Sequence, residues 1–265
     1  MLKNNFLKAK MKTGKPVLGT WAVIPSAVCA DIICQSGLDF LIIDGEHGPV
    51  NFETAQLMCM ACESNGVSPL VRVGGVIESD ILRALDIGAH GIHVPNITSC
   101  GDVKEVIRCA KYPPIGNRGF SPFTRAGGYS GDNAQVLTKK ANGNGIVAVH
   151  VESVQAADQI DEILENKELD VVFLGIYDLS KSLGVPGQVF HPDVQRVVKK
   201  LTKKINQSGK YAGTIVTDMR RVKFFLDAGI RYVTYSVDSA MLKHQYKEAV
   251  DNFITIRKRG SKIGH

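Results

Sequence analysis

Short apolar runs and longer amphipathic stretches alternate along this chain with few interruptions. The short runs end at glycine, asparagine or charge and read as strands buried on both faces. The stretches between them carry apolar residues at helical spacing. Strands are predicted over residues 17–22, 38–43, 69–73, 91–95, 146–151, 169–175, 211–216 and 231–236. Helices are predicted over 27–36, 52–64, 79–87, 101–110, 156–164, 191–208, 220–228 and 240–257. Gly37, Asn65-Gly66 and Gly88 stop three of the helices, and Pro192 opens another in the favoured first turn. Strand and helix alternating eight times, with no break in composition, predict an α/β fold. The expected architecture is a single (β/α)8 TIM barrel over residues 1–265 with a basic tail at about 257–265. A doubly wound open sheet is the alternative. It needs a glycine-rich phosphate turn after the first strand, and Ala22-Val23-Ile24-Pro25-Ser26 is not one. Residues 112–134 form one long irregular stretch, dense in Gly, Pro, Ser and Arg. A loop that long in a compact domain is functional or disordered.

Composition narrows the function classes. Apolar residues at 44% and charged residues at 22% are ordinary for a globular protein. The net charge of +6 owes much to Arg257, Lys258, Arg259 and Lys262. That cluster reads as a solvated tail. With no basic stripe interleaved by aromatics, nucleic acid is not the expected partner. The balance is compatible with small anionic substrates. No apolar run is long enough to span a bilayer, and residues 1–16 are polar and Lys-rich, without the apolar core of an export signal. A cytoplasmic location is expected, and the six cysteines suit a reducing compartment. Cys59 and Cys62 form a lone C-x-x-C inside an apolar helical run, so packing is the expected role rather than zinc.

Chemistry concentrates at the ends of the strands. Leu41-Ile42-Ile43-Asp44-Gly45-Glu46-His47 turns from a buried strand into three ionisable side chains within four residues. Asp44 and His47 suit an acid–base dyad; the plainer reading is a helix N-cap and a solvated ring. Arg72, inside an apolar run, needs an anionic partner: a substrate oxygen, or a barrel carboxylate such as Asp44 or Glu46. Glu152 and Asp178 follow the fifth and sixth strands, which lie about 5 Å apart in a barrel. Two carboxylates at one mouth share a proton or bind a cation, and an open oxygen pair suits Mg²⁺ or Mn²⁺. The plainer readings are an N-cap for Asp178 and a salt bridge for Glu152. His150 shares a strand face with Glu152 and is a packed barrel histidine, a neighbour of the metal or a further ligand. His90 and His93 flank the fourth strand and receive no role. Apart from Lys181, no lysine lies within a strand or at its carboxyl end, as a Schiff-base aldolase requires. No nucleophile elbow is present either. Metal-assisted chemistry is what these residues support best.

Five segments together resemble the class II, metal-dependent pyruvate aldolases of the HpcH/HpaI type. They are Asp44-Gly45-Glu46-His47, Val71-Arg72-Val73, residues 112–119 (YPPIGNRG), Val151-Glu152-Ser153 and residues 175–180 (GIYDLS). The likeness runs from about residue 14 to 242. It implies a barrel of the phosphoenolpyruvate/pyruvate-domain type. It implies that Glu152 and Asp178 hold the divalent metal, Mg²⁺ or Mn²⁺ with Co²⁺ or Zn²⁺ as further choices. It also implies that His47 and Asp44 form the proton-transfer dyad, that Arg72 contacts the pyruvate oxygen, and that backbone around Tyr177 and Asp178 receives the pyruvate carboxylate. The family often carries Gln at the position of His150 and Pro at that of Ile176, departures that bear on the surroundings of the metal and on the carboxylate-binding turn.

The implied reaction is reversible aldol cleavage of a 4-hydroxy-2-oxo acid to pyruvate and an aldehyde through a metal-stabilised enolate. Rival readings are a lyase acting on a malyl-CoA-like thioester and a non-catalytic barrel that binds a 2-oxo acid. The last helix carries apolar residues over more than one stripe, from Met241 to Ile256. The resemblance implies that this helix is exchanged between subunits in a homohexamer, a trimer of dimers. The loop carrying Arg118 would then reach a neighbouring active site.

Overall fold

The computed structural model describes residues 5–130 and 133–260. Eight parallel strands close into a barrel in chain order. They are β1 (Val17–Ala22), β2 (Phe40–Asp44), β3 (Ser68–Arg72), β4 (Gly91–Val94), β5 (Ile146–Val151), β6 (Val171–Leu174), β7 (Tyr211–Val216) and β8 (Tyr232–Val237). Each predicted strand is present, three with the predicted ends and the others with ends displaced by at most two residues. Helices lie between the strands, several opened by side-chain caps. Asn51 accepts from the Thr54 amide at 2.8 Å, and Ser99 and Asp102 form a capping box.

Side chains alternate along each strand, so one set fills the barrel and the other meets the helices. On β2, Phe40 and Ile42 point inward while Leu41 and Ile43 join the outer core. The same phase carries Asp44 inward at the strand's carboxyl end. Leu70 brings Arg72 inward on β3. Ile146 and Ala148 do the same for His150 and Glu152 at β5. The register pairs Asp44 with Arg72. Gly19 makes room for the Phe40 ring, since a Cβ there would lie 2.4 Å from it. Phe40 then stacks on Tyr232 with ring centroids 4.3 Å apart.

Three helices were not predicted, one of them α9 (Ile176–Ser182) directly after β6. The first, α1 (Phe6–Met11), buries Leu7 and Met11 in the barrel-interior cluster, at its amino-terminal end. Asn5 caps it and also donates to the carbonyls of His90 and Asn144. The second, α6 (Ala134–Asn144), has no buried residue, so it carries no apolar stripe to read. The irregular stretch before α6 is anchored within its own chain. Arg118 is buried, pairs with Asp86 at 2.6 Å and lies over the Tyr112 ring at 4.6 Å. Within the single chain, Arg118 is thus engaged by Asp86 and Tyr112.

The last helix, α12 (Asp238–Gly260), leaves the barrel after its first turn. Every residue from Leu242 to Phe253 is exposed. Arg257 and Lys258 lie within this helix, so the basic segment is not wholly a tail. Lys262 lies outside the described residues. Between α2 (Ala27–Cys34) and the start of α12 runs an apolar groove of about 480 Å³, lined by Leu18, Ile33, Tyr235 and Met241 among others.

The α1 plug generates a stability prediction. Leu7→Ala should lower the unfolding free energy by about 2–5 kcal/mol, as expected for emptying a well-packed site. Denaturant titration measures it, and an unchanged midpoint would show that α1 lies outside the cooperative core.

Candidate active site

All six predicted site residues, Asp44, His47, Arg72, Glu152, Tyr177 and Asp178, line one cavity of about 320 Å³ at the carboxyl end of the barrel. Its centre is a guanidinium shared by two acids. Arg72 Nε donates to Asp44 Oδ1 at 2.9 Å and Nη2 to Asp44 Oδ2 at 2.5 Å. Arg72 Nη1 reaches Glu46 Oε2 at 2.9 Å. The guanidinium also lies over the Trp21 ring, 4.4 Å from its centroid. Gly45 lets the two strand ends approach, because a Cβ there would sit 2.8 Å from the Arg72 carbonyl oxygen.

Asp44 is only 2% exposed. Its Oδ1 also accepts from the backbone amides of Glu46 at 3.0 Å and His47 at 3.2 Å. Burial pushes this carboxyl up. The Arg72 hydrogen bonds and charge, with the two amides, outweigh burial and hold it below the usual aspartate range. The His47 ring does not bond Asp44. Its side chain is 71% exposed, and Nε2 lies 3.9 Å from Glu46 Oε2. The direct ring–carboxylate dyad is thus not assembled here; Asp44 holds the His47 backbone instead.

Glu152 stands just past β5. Its Oε1 accepts from the Asn96 amide at 2.7 Å, and its Oε2 lies 3.7 Å from His150 Nδ1. Burial again acts upward. His150, the Asn96 amide and Arg72 overcome it, and the carboxyl titrates below its ordinary value. Gly175 is needed beside it, since a Cβ there would meet Glu152 Cβ at 2.8 Å and Oε2 at 3.0 Å. Asp178 and Tyr177 follow in the first turn of α9 (Ile176–Ser182), both exposed to the cavity. Residue-by-residue reading missed Asn96 and Trp21. Asn96 adopts a left-handed conformation, φ 60°, that asparagine tolerates, and the Pro95-Asn96 turn was the available signal. His150 sits below the mouth against His93, which joins Tyr232. His90 lies elsewhere, against Glu63 and Ser68.

Charge at the mouth is unbalanced. Arg72 partners Asp44 and Glu46, while Glu152 and Asp178 make no ion pair with lysine or arginine among the described residues. Two oxygen donors facing one open cavity fit a hard divalent cation that keeps positions for water and substrate. A separate close group of potential ligands, Glu78, Glu105 and Cys109, lies on the helices outside the barrel, with Glu78 exposed and Cys109 buried. Arg108 already pairs with both of its carboxylates, at 2.5 and 2.8 Å, which weakens it as a cation site.

The chain is similar to known proteins along most of its length. Residues 18–245 match the family described as HpcH/HpaI aldolase/citrate lyase. A hydroxypyruvate/pyruvate aldolase of Roseobacter denitrificans is 36% identical, over 90% of this chain and 93% of its own length. A 4-hydroxy-2-oxo-heptane-1,7-dioate aldolase of Escherichia coli is 32% identical, over 91% of each chain. The crystal structure of an HpcH/HpaI aldolase from Desulfitobacterium hafniense DCB-2 superposes with a TM-score of 0.89, at 30% identity, covering 94% of this chain and 96% of that one. Fold and site define a barrel-type carbon–carbon lyase. The chain belongs to the HpcH/HpaI aldolase/citrate lyase family.

The Asp44–Arg72 pair yields a test with a defined pH dependence. Asp44→Asn should cost about 3 kcal/mol, the low end for breaking a buried pair, because Arg72 keeps Glu46. The folded-state pKa of Asp44 lies below its unfolded value. Its stabilisation is therefore complete above about pH 4 and is lost as pH falls through the folded pKa. The gap between wild type and variant in unfolding free energy should narrow in acid. A gap that stays constant while pH falls would contradict the pairing.

Proposed function

We propose that this protein is a divalent-metal-dependent aldolase that reversibly cleaves a 4-hydroxy-2-oxo acid into pyruvate, or a similar 2-oxo acid, and an aldehyde. One observation carries the reading: Arg72 takes Asp44 and Glu46 for itself and leaves Glu152 and Asp178, which line the same cavity, without a lysine or arginine partner among the described residues. Those two carboxylates are the metal ligands. Mg²⁺ or Mn²⁺ suits the oxygen pair, with Co²⁺ or Zn²⁺ as further choices. A bound cation supplies Lewis acidity to the C2 carbonyl of the donor. Arg72, held by two acids and by Trp21, directs fixed positive charge at the enolate oxygen. His47, exposed at the cavity wall, moves the proton at C3 of the donor. Tyr177 and Asp178 flank the position for the donor carboxylate. Similarity to two aldolases over nine-tenths of the chain favours an aldolase over a CoA-thioester lyase or a non-catalytic barrel.

The same reading places the protein in the cytoplasm as a homo-oligomer. No helix among the described residues is long and apolar enough to cross a membrane, and all six cysteines are free. Exposed Leu242, Tyr246, Val250 and Phe253 on α12 and the apolar groove beside it are complementary surfaces. Exchange of α12 between two copies covers both, and a trimer of such dimers is the proposed assembly.

Chelation should abolish exchange of the pyruvate C3 protons with solvent, and added Mn²⁺ or Mg²⁺ should restore it. Full exchange by metal-free protein would overturn the reading. His47→Ala should slow the exchange by about 10²–10⁴-fold while Mn²⁺ affinity stays unchanged; loss of metal would give His47 a different role. Light scattering of the purified protein should give the mass of six chains of 28.8 kDa each. A mass near one chain would refute exchange of α12.

A further inference from the structure

Beneath the mouth, three buried side chains from three strands join in a row. Tyr232 Oη lies 2.8 Å from His93 Nε2, and His93 Nδ1 lies 3.0 Å from His150 Nε2. His150 Nδ1 lies 3.7 Å from Glu152 Oε2. Tyr232 and His93 are fully buried and His150 nearly so. Trp21 and Phe173 enclose the rings edge-on and tilted, with centroids 5.0 to 5.9 Å apart. Trp21 cannot serve the row as a donor, because its Nε1 is committed to Thr234.

We infer that Tyr232, His93 and His150 form a one-way hydrogen-bond chain that presents an N–H to Glu152 and positions that carboxylate for the metal. The role rests on the reading that Glu152 is a metal ligand. Both ends of the row dictate the same direction. At the lower end the Tyr232 hydroxyl has one hydrogen-bond partner among the described residues, His93 Nε2. If that nitrogen carried the hydrogen, the hydroxyl hydrogen would be left buried without an acceptor. Tyr232 therefore donates, and burial, which raises its pKa, keeps its proton in place. His93 then carries its hydrogen on Nδ1 and donates to His150 Nε2. His150 in turn carries its hydrogen on Nδ1, toward Glu152. At the upper end, 3.7 Å is longer than a hydrogen bond. The contact still selects the tautomer, since the other one aims a nitrogen lone pair at a carboxylate. A doubly protonated His150 would reverse the lower half of the row and add a buried cation near Arg72. The three groups thus hold three protons in one arrangement, and the Glu152 carboxylate meets a fixed dipole. His93 and His150 are positioning residues; neither is placed on the substrate.

Long-range ¹H–¹⁵N spectra of the metal-free, ¹⁵N-labelled protein read the ring nitrogens directly. Hydrogen on Nδ1 of both His93 and His150 is expected; hydrogen on Nε2 of either ring overturns the direction. Mn²⁺ titration by calorimetry tests the positioning. His150→Leu should weaken Mn²⁺ binding about 10–100-fold, as loss of a partner behind a metal ligand does. His150→Gln, which keeps an amide donor, should restore most of that loss. Unchanged affinity in His150→Leu, or equal losses in both variants, overturns the role. Should His150→Leu fail to fold, Tyr232→Phe, which removes one buried oxygen, carries the test. It should redistribute the His93 hydrogen between the two nitrogens and weaken Mn²⁺ binding; no change in either refutes the chain. A wild type that binds no Mn²⁺ would remove the metal reading and this role together, while the spectra would still report the direction of the row.

Discussion

Arg72 is the constraint from which the rest of the site follows. Its carboxyl-end position on β3, directly across from Asp44 on β2, puts one guanidinium between two acids in a crowded, half-dry mouth. Burying such a group is costly unless every donor is met. Here Asp44 takes two of its nitrogens, Glu46 a third, and the Trp21 ring covers its face. Because Arg72 is so fully engaged, it makes no ion pair with Glu152 or Asp178, and only its field reaches Glu152. The division of the four carboxylates into a pair bound to Arg72 and a pair without a lysine or arginine partner is a consequence of where one arginine reaches.

The barrel interior is layered in a way that serves this arrangement. Leu7 and Met11 close the amino-terminal end, and Phe40 stacked on Tyr232 fills the middle. Above them come the His93–His150 row with Trp21 and Phe173, and then the charged mouth. Polarity rises steadily from floor to rim. A dry, close-packed floor keeps water from screening the charges above it, so the fixed dipoles and ion pairs at the mouth act at greater strength.

Much of the fold was legible because it is local. Continuous apolar runs such as those of β2 and β5, and glycine or asparagine at helix ends, mark elements without reference to the rest of the chain. The site residues were legible for the same reason: Asp44, Arg72 and Glu152 interrupt or end apolar runs, where charge is conspicuous. What could not be read depends on contacts across the barrel. The His47 ring turns away from Asp44 because Arg72 and two amides already occupy that carboxylate. His93 had no readable role because its partners lie 57 and 139 residues away. The helix α6 was missed because it buries nothing, and α1 because six residues are too short to show a period. The engagement of Arg118 by Asp86 and Tyr112 within the single chain was not read either.

The central claim is that Arg72 decides which acids are left for the cation. Anomalous diffraction at the manganese edge, from crystals grown with Mn²⁺, locates the ion without reference to activity. The account predicts an anomalous peak against the carboxylates of Glu152 and Asp178, with Arg72 still on Asp44 and Glu46. A peak on Asp44 or Glu46 with Arg72 displaced, or one confined to Glu78, Glu105 and Cys109 on the helices outside the barrel, would contradict it.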